Sequence, residues 1–217
     1  FTQSEWWHGM FATEKAEEGA IESVSVNLGS QVETLSNYMF NYLPIEEITI
    51  PGTLKAIGNC VFDGCSKLKK ITYEPSFTNE PLTHGFNDDS DDDGPFYASP
   101  LEEVVINREI NYTYSSSAAN ANEGLFGNRT TLTSVTLGEQ VVTLHKWMFA
   151  GSSITELTIP GTVNTIANDV FYGCTELATL TFNPSPTGES LTIGYDTDGE
   201  DENLFQDNNN LTTLNLN

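Results

Sequence analysis

Basic residues are scarce in this chain. Eight Lys and Arg stand against 31 Asp and Glu, a formal net charge of −23 over 217 residues. A surface this acidic repels phosphate backbones and anionic headgroups, so nucleic acid and anionic membrane are poor partners, and cationic ligands or calcium are favoured. Long hydrophobic runs are also missing; none approaches the roughly 20 residues needed to span a bilayer. Cysteine appears only three times, an odd count that leaves the redox compartment open. The three histidines, His8, His84 and His145, have no motif around them, and HExxH, P-loop, GxGxxG and nucleophile-elbow patterns are all absent. These absences point away from an enzyme and from a resident cofactor.

What the chain does contain is repetition. Ile50 to Cys65 reappears as Ile159 to Cys174, with ten of sixteen positions identical and an offset of 159 − 50 = 109 residues. A shorter motif, apolar-x-x-apolar-x-apolar, surrounds these copies and begins at Ile21, Ile45, Leu68, Leu101, Leu132, Ile154, Leu177 and Leu211. The first four starts map onto the last four with offsets of 111, 109, 109 and 110 residues. Eight short units are thus nested in two super-repeats, 21–131 and 132–217, and residues 1–20 read as a partial unit or cap. Units of this length cannot bury an apolar face alone; they stack on their neighbours as a quasi-one-dimensional array.

Within the compact units the apolar triplet is followed by a small turn, such as Pro51-Gly52 or Pro160-Gly161. Gly at such a turn is expected to supply positive φ, and Pro a preset one. An apolar pair three residues apart comes next (Val32/Leu35, Leu54/Ile57, Val141/Leu144, Val163/Ile166), then an aromatic at Phe40, Phe62, Phe149 and Phe171. Neither the 3.6 period of a helix nor a long alternating strand fits this spacing. It reads as a coil: strand, turn, second short extended segment, and a corner closed by Phe.

The pattern strand-Pro-x-x-(Val/Ile)-x-x-Ile-x-x-x-(Ala/Val)-Phe-x-x-Cys resembles the BspA-like leucine-rich repeat of bacterial surface proteins. Pro51 to Cys65 and Pro160 to Cys174 carry it almost in full, whereas Val32 to Phe40 and Val141 to Phe149 lack the Pro and the Cys. Leu68 to Pro100 and Leu177 to Asn210 hold long acidic insertions, and Asn107 to Asn122 is a polar stretch rich in Ser, Asn and Ala. The resemblance implies a right-handed solenoid, mainly β, with a parallel concave sheet of about eight short strands and few or no long helices. It also implies a secreted or surface-anchored bacterial protein with an adhesive role. A start at Phe1 without Met suggests that a signal or anchor has been removed, and an end in mid-repeat suggests a fragment of a larger protein.

Cys65 and Cys174 occupy matching places and are expected in the core. Cys60 aligns with Asp169, which suggests an exposed position, and a Cys60–Cys65 bridge has no counterpart in the second copy.

Two candidate sites follow. Between the buried positions of each strand lie Glu47/Thr49, Lys70/Thr72, Glu103/Val105, Ser134/Thr136, Glu156/Thr158 and Thr179/Thr181. Period-two alternation places these on the face opposite the core, a broad ladder of hydroxyls and a few charges suited to a protein ligand. Without Trp, Tyr or Arg anchors, affinity per module should be modest. The second candidate is the insertion pair. Asp89, Asp91 and Asp93 precede Gly94, and Asp196 and Asp198 take the equivalent place in the second half. Alternate carboxylates before a Gly resemble the start of a calcium loop, though the twelfth position is Pro100 rather than Glu, so only weak calcium binding is expected.

The sequence therefore reads as a binding and adhesion module for host matrix or other proteins. Two alternatives remain open. One is a carbohydrate-binding module using Trp6, Trp7 or Tyr195 as sugar platforms, and the other is a spacer in a surface stalk. Trp147, beside corner residue Phe149, reads as packing.

Overall fold

The computed structural model describes residues 22–85, 95–96, 98–112, 124–195 and 204–216. Among them there is no α-helix; short strands joined by turns build stacked coils, one for each predicted unit. We number these coils 1 to 8 from the motif starts.

The apolar triplets become front strands. These are β2 (Glu47–Ile50), β4 (Lys70–Tyr73), β6 (Glu103–Ile106), β8 (Ser134–Leu137), β10 (Glu156–Ile159), β12 (Thr179–Phe182) and β14 (Thr213–Leu216). In coil 1 the strand shrinks to a single bridge, Val24 with Ile45. All front pairings are parallel and in register, so Ile48, Ile71, Val104 and Val135 form one column across β2, β4, β6 and β8. Alternation sends Ile48 and Ile50 inward while Glu47 and Thr49 stay exposed. The second segments form a back layer: β1 (Thr34–Leu35), β3 (Ala56–Ile57), β5 (Leu82–His84), β7 (Ile110–Tyr112), β9 (Thr143–Leu144), β11 (Thr165–Ala167) and β13 (Thr192–Tyr195).

The core runs between these layers and is closed by aromatic rings. Phe40, Phe62, Phe96, Phe126, Phe149, Phe171 and Phe205 stack one per coil, with centroids 5.4–6.3 Å apart. The backbone reaches this corner through left-handed residues on both sides of the ring. Two residues before it stand Tyr38, Cys60, Trp147 and Asp169, all with φ of 53–62°. Two residues after it, the slot holds Gly64, Gly151 and Gly173 or, at an intrinsic cost, Tyr42, Ala98, Asn128 and Asp207.

This geometry corrects the expectation for Cys60. It is 2% exposed, because the left-handed corner position is interior in both copies. Asp169 is equally buried there beside the Lys146 ammonium at 3.9 Å, so an acidic residue at the aligned position did not signal solvent. Cys65 and Cys174 do lie in the core, and their thiols donate to the carbonyls of Phe40 and Phe149, each at 3.2 Å. Burial pushes the Cys65 thiol up to about 12 and raises Cys174 as well. None of the three cysteines is in a disulfide, so no Cys60–Cys65 bridge forms.

The turn glycines also act differently from expectation. Gly52 and Gly161 do not have positive φ. A Cβ on either would meet the carbonyl oxygen of the next coil, 2.0 Å from Pro75 O and 1.9 Å from Pro184 O. Close approach of successive coils, rather than turn conformation, requires the glycine.

His84 takes the back-layer position held by Ile57 in the preceding coil. It is fully buried, one ring nitrogen bonds Gly85 O at 2.8 Å, and Nε2 has no partner. Desolvation pulls its pKa down to about 4, so the imidazole stays neutral. Because the unfolded chain takes up this proton near pH 6.5, the contribution is complete above that pH. It is lost as pH falls towards 4, by as much as about 3 kcal/mol. His84→Leu should remove most of this acid-side slope in urea titrations at pH 7 and pH 4.5; parallel slopes would contradict the assignment.

The sheet expected to be continuous is hydrogen-bonded in two pieces. At the front, β2-β4-β6-β8 and β10-β12-β14 are separate ladders; at the back, β1-β3-β5-β7 and β9-β11-β13 are. The breaks are offset by one coil, so coil 5 belongs to the first half through β8 and to the second through β9. The irregularity lies in coil 4, where only three residues (107–109) join β6 to β7, against eight (74–81) between β4 and β5. Arg108, 1% exposed, fills this corner and donates to the carbonyls of Leu54 and Glu80 at 3.0 Å and of Gly52 at 3.4 Å.

Candidate ligand-binding face

The front strands carry two outward columns. One runs Glu47, Lys70, Glu103, Ser134 and, beyond the break, Glu156, Thr179, Thr213. The other runs Thr49, Thr72, Val105, Thr136 and then Thr158, Thr181, Asn215. Every one of these side chains is exposed or half-buried. The predicted residues thus share one face, but the break separates those up to Thr136 from those from Glu156 onward. Their spacing is fixed by backbone ladders: adjacent members of a column stand about 4.8 Å apart, and the two columns about 7 Å apart.

Charge on this face is arranged in rows. Lys70 Nζ meets Glu103 Oε1 at 2.8 Å, and Lys69 Nζ meets Glu102 Oε1 at 2.8 Å. The Glu102 hydrogen bond and charge raise the Lys69 pKa. Glu46, Glu47 and Glu156 make no ion pair among the described residues, although the Glu46 charge also acts on Lys69. Both lysines are therefore neutralised, while three carboxylates remain open to a ligand.

A shallow cleft of about 500 Å³ lies at the first end of the face, between Ser23–Val26 and the pairs Glu46/Glu47 and Lys69/Lys70. Glu46 and Lys69 escaped the alternation argument because each precedes its strand by one residue. Their signal was the doublet itself, Glu46-Glu47, Lys69-Lys70 and Glu102-Glu103 at equivalent places in three successive coils. Further on, Asn215 Nδ2 donates to Thr181 Oγ1 at 3.0 Å, tying the last coils together.

Other predicted residues fall elsewhere. Asp89, Asp91, Asp93, Asp196 and Asp198 lie outside the described residues, as do Trp6 and Trp7. Tyr195 ends β13 in the back layer, away from the front columns. Trp147 is buried edge-on against Tyr172 at 5.3 Å. Among the described residues no three His, Cys, Asp or Glu side chains converge as metal ligands, and no helix is long and apolar enough to cross a membrane.

Comparison with known proteins agrees with the coil geometry. No curated protein matches the chain. A leucine-rich repeat protein from Bacteroides ovatus superposes with a TM-score of 0.57 at 21% identity, over 87% of this chain and 41% of that one. A leucine-rich cell surface protein from Faecalibacterium prausnitzii aligns at 17% identity and a TM-score of 0.41, over 88% of this chain and 52% of its own. The chain thus spans about half or less of the length of these two proteins. The BspA type leucine-rich repeat region matches residues 15–83 and 92–216 in six copies, and the chain belongs to that family.

Proposed function

We propose that the chain is a non-catalytic binding module of a secreted or cell-surface bacterial protein, and that its front face holds a basic segment of a protein ligand. An extracellular matrix protein of a host is the favoured class. The observation that carries this reading is the charge arrangement: Lys69 and Lys70 are paired, while Glu46, Glu47 and Glu156 are open on an exposed strand ladder. A cationic segment gains three carboxylates without displacing an existing ion pair. Hydroxyls at Thr49, Thr72, Ser134, Thr136, Thr158, Thr179 and Thr181 then supply neutral hydrogen bonds along the same columns. The absence of aromatic anchors keeps affinity modest, and attraction should weaken as salt rises. The insertions carrying Asp89, Asp91 and Asp93 and Asp196 and Asp198 are a second candidate site in this reading, for weak calcium binding.

A screen of the chain against matrix proteins tests the assignment, with and without calcium. Replacing Glu46, Glu47 and Glu156 together by Ala should weaken binding at least about tenfold, since each lost charge contact is worth up to about 1 kcal/mol at a solvated surface. Binding that survives this variant unchanged removes the front face from consideration.

A further inference from the structure

The short corner of coil 4 leaves a cleft of about 490 Å³ between the corners of coils 3 and 5. It is separate from the front face and plays no part in the reading above. Asn79 and Pro81 line it from coil 3, Glu109 and Asn111 from coil 4, and Glu139, Gln140 and Val142 from coil 5. One wall is held rigidly. Gln140 accepts from Ser76 N at 2.7 Å and donates to Ser76 O at 3.0 Å and to Asn79 Oδ1 at 2.8 Å, bridging coils 3 and 5 across the short one.

That bridge consumes the Gln140 amide and the Asn79 oxygen, but leaves the Asn79 Nδ2 donors unused. Asn111 and Glu139 have no side-chain partner among the described residues. Glu109 spends Oε2 on two backbone N–H groups, while Oε1 faces only His145, at 3.8 Å. The cleft therefore offers carboxamide donors beside carboxylate acceptors, with the ring of Pro81 and the half-exposed Val142 as its apolar surface. A hydroxyl both donates and accepts, so neighbouring hydroxyls of a pyranose satisfy such alternating groups in pairs while the C–H face rests on Pro81 and Val142.

We infer that this cleft is a binding site for neutral sugars, large enough for one or two pyranose rings. Two carboxylates and no cation in the lining disfavour sialylated or sulfated glycans. The small apolar area disfavours a hydrophobic ligand. With no aromatic platform, binding to a single chain should fall in the millimolar range, about −4 kcal/mol.

The test is a ¹⁵N-detected titration of the whole chain with β-1,4-linked tetrasaccharides of glucose and of N-acetylglucosamine and with an α-mannotetraose, using sialyllactose as the anionic control. At least one neutral sugar should shift the side-chain amide signals of Asn79 and Asn111. Asn111→Ala with Glu139→Ala should weaken that binding at least about tenfold without lowering the melting temperature. The front-face triple variant should bind the sugar unchanged, which separates this site from the proposed protein face. The inference is overturned if none of the three sugars shifts these amides at about five times a millimolar Kd. It is equally overturned if the double variant binds normally, or if sialyllactose binds as well as the neutral sugars.

Discussion

Replacing Phe126 by Ala should cost about 3–5 kcal/mol and lower the melting temperature by about 10 °C. Phe126 is fully buried and stacks on Phe96 at 5.4 Å and on Phe149 at 5.9 Å, with the Tyr73 ring set edge-on at 6.3 Å. The backbone on both sides is held by the next coil: Phe126 N donates to Met148 O at 3.0 Å and Asn128 N to Ala150 O at 2.7 Å. The corner therefore cannot collapse to fill the void, and the cavity term adds to the lost transfer energy. Position in the array should matter as well. Each coil contacts its neighbours, so a defect at the middle weakens two interfaces whose loss separates the halves. Phe40→Ala, in the first coil of the described array, should cost less. Phe126→Leu, which keeps most of the volume, should lose only about 1–1.5 kcal/mol. Circular dichroism melts of the three variants decide this; equal losses for Phe40→Ala and Phe126→Ala would refute the nearest-neighbour account.

Phe126 also shows where the sequence was readable and where it was not. The front triplets were found at every coil because their spacing is internal to six residues and survives any insertion elsewhere. The ring ladder was found only at Phe40, Phe62, Phe149 and Phe171, because each was counted forward from the apolar pair before it. In coils 3, 4 and 7 that count runs through the acidic or polar insertions, and Phe96, Phe126 and Phe205 disappear from it. Counted backward from the next strand start, every ring lies five or six residues away (Phe96 before Leu101, Phe126 before Leu132, Phe205 before Leu211). Insertions are accommodated before the corner, while the distance from corner to next strand is fixed by packing. The front face was legible for the same local reason: alternation placed Glu47, Lys70 and Glu103 in one column. The cleft behind it was not, since its residues come from three corners whose lengths differ, and only the folded chain brings Asn79, Asn111 and Glu139 together.

The second large effect is expected at Arg108 and Glu109, which reach in opposite directions from the shortest corner. In a regular back layer each coil offers a forward-pointing carbonyl to two N–H groups of the next. Glu33 O accepts from Lys55 N at 2.8 Å and Ala56 N at 3.3 Å, and Val142 O accepts from Asn164 N at 3.0 Å and Thr165 N at 3.3 Å. In coil 4 the Glu109 carbonyl is turned backward, where Leu82 N donates to it at 2.9 Å. Coil 5 thereby loses its backbone acceptor, and the Glu109 carboxylate replaces it: Oε2 accepts from Val142 N at 2.7 Å and from Thr143 N at 3.1 Å. Glu109→Ala leaves both N–H groups without a partner at the junction of the two back ladders, at about 2–3 kcal/mol. Glu109→Gln keeps one oxygen with two lone pairs at the same place and should remain within about 1 kcal/mol of the parent chain, whereas a role resting on charge alone would make the two variants equally poor. Arg108→Ala should be worse, about 3–5 kcal/mol, because a fully buried side chain leaves a void and three carbonyls from coils 2 and 3 lose their donor. Hydrogen exchange distinguishes the two losses. Removing Glu109 should speed exchange at Val142 and Thr143 first, while removing Arg108 should loosen the corners that carry Gly52, Leu54 and Glu80. If both variants instead loosened the same amides, the picture of two side chains splicing the array in opposite directions would fail.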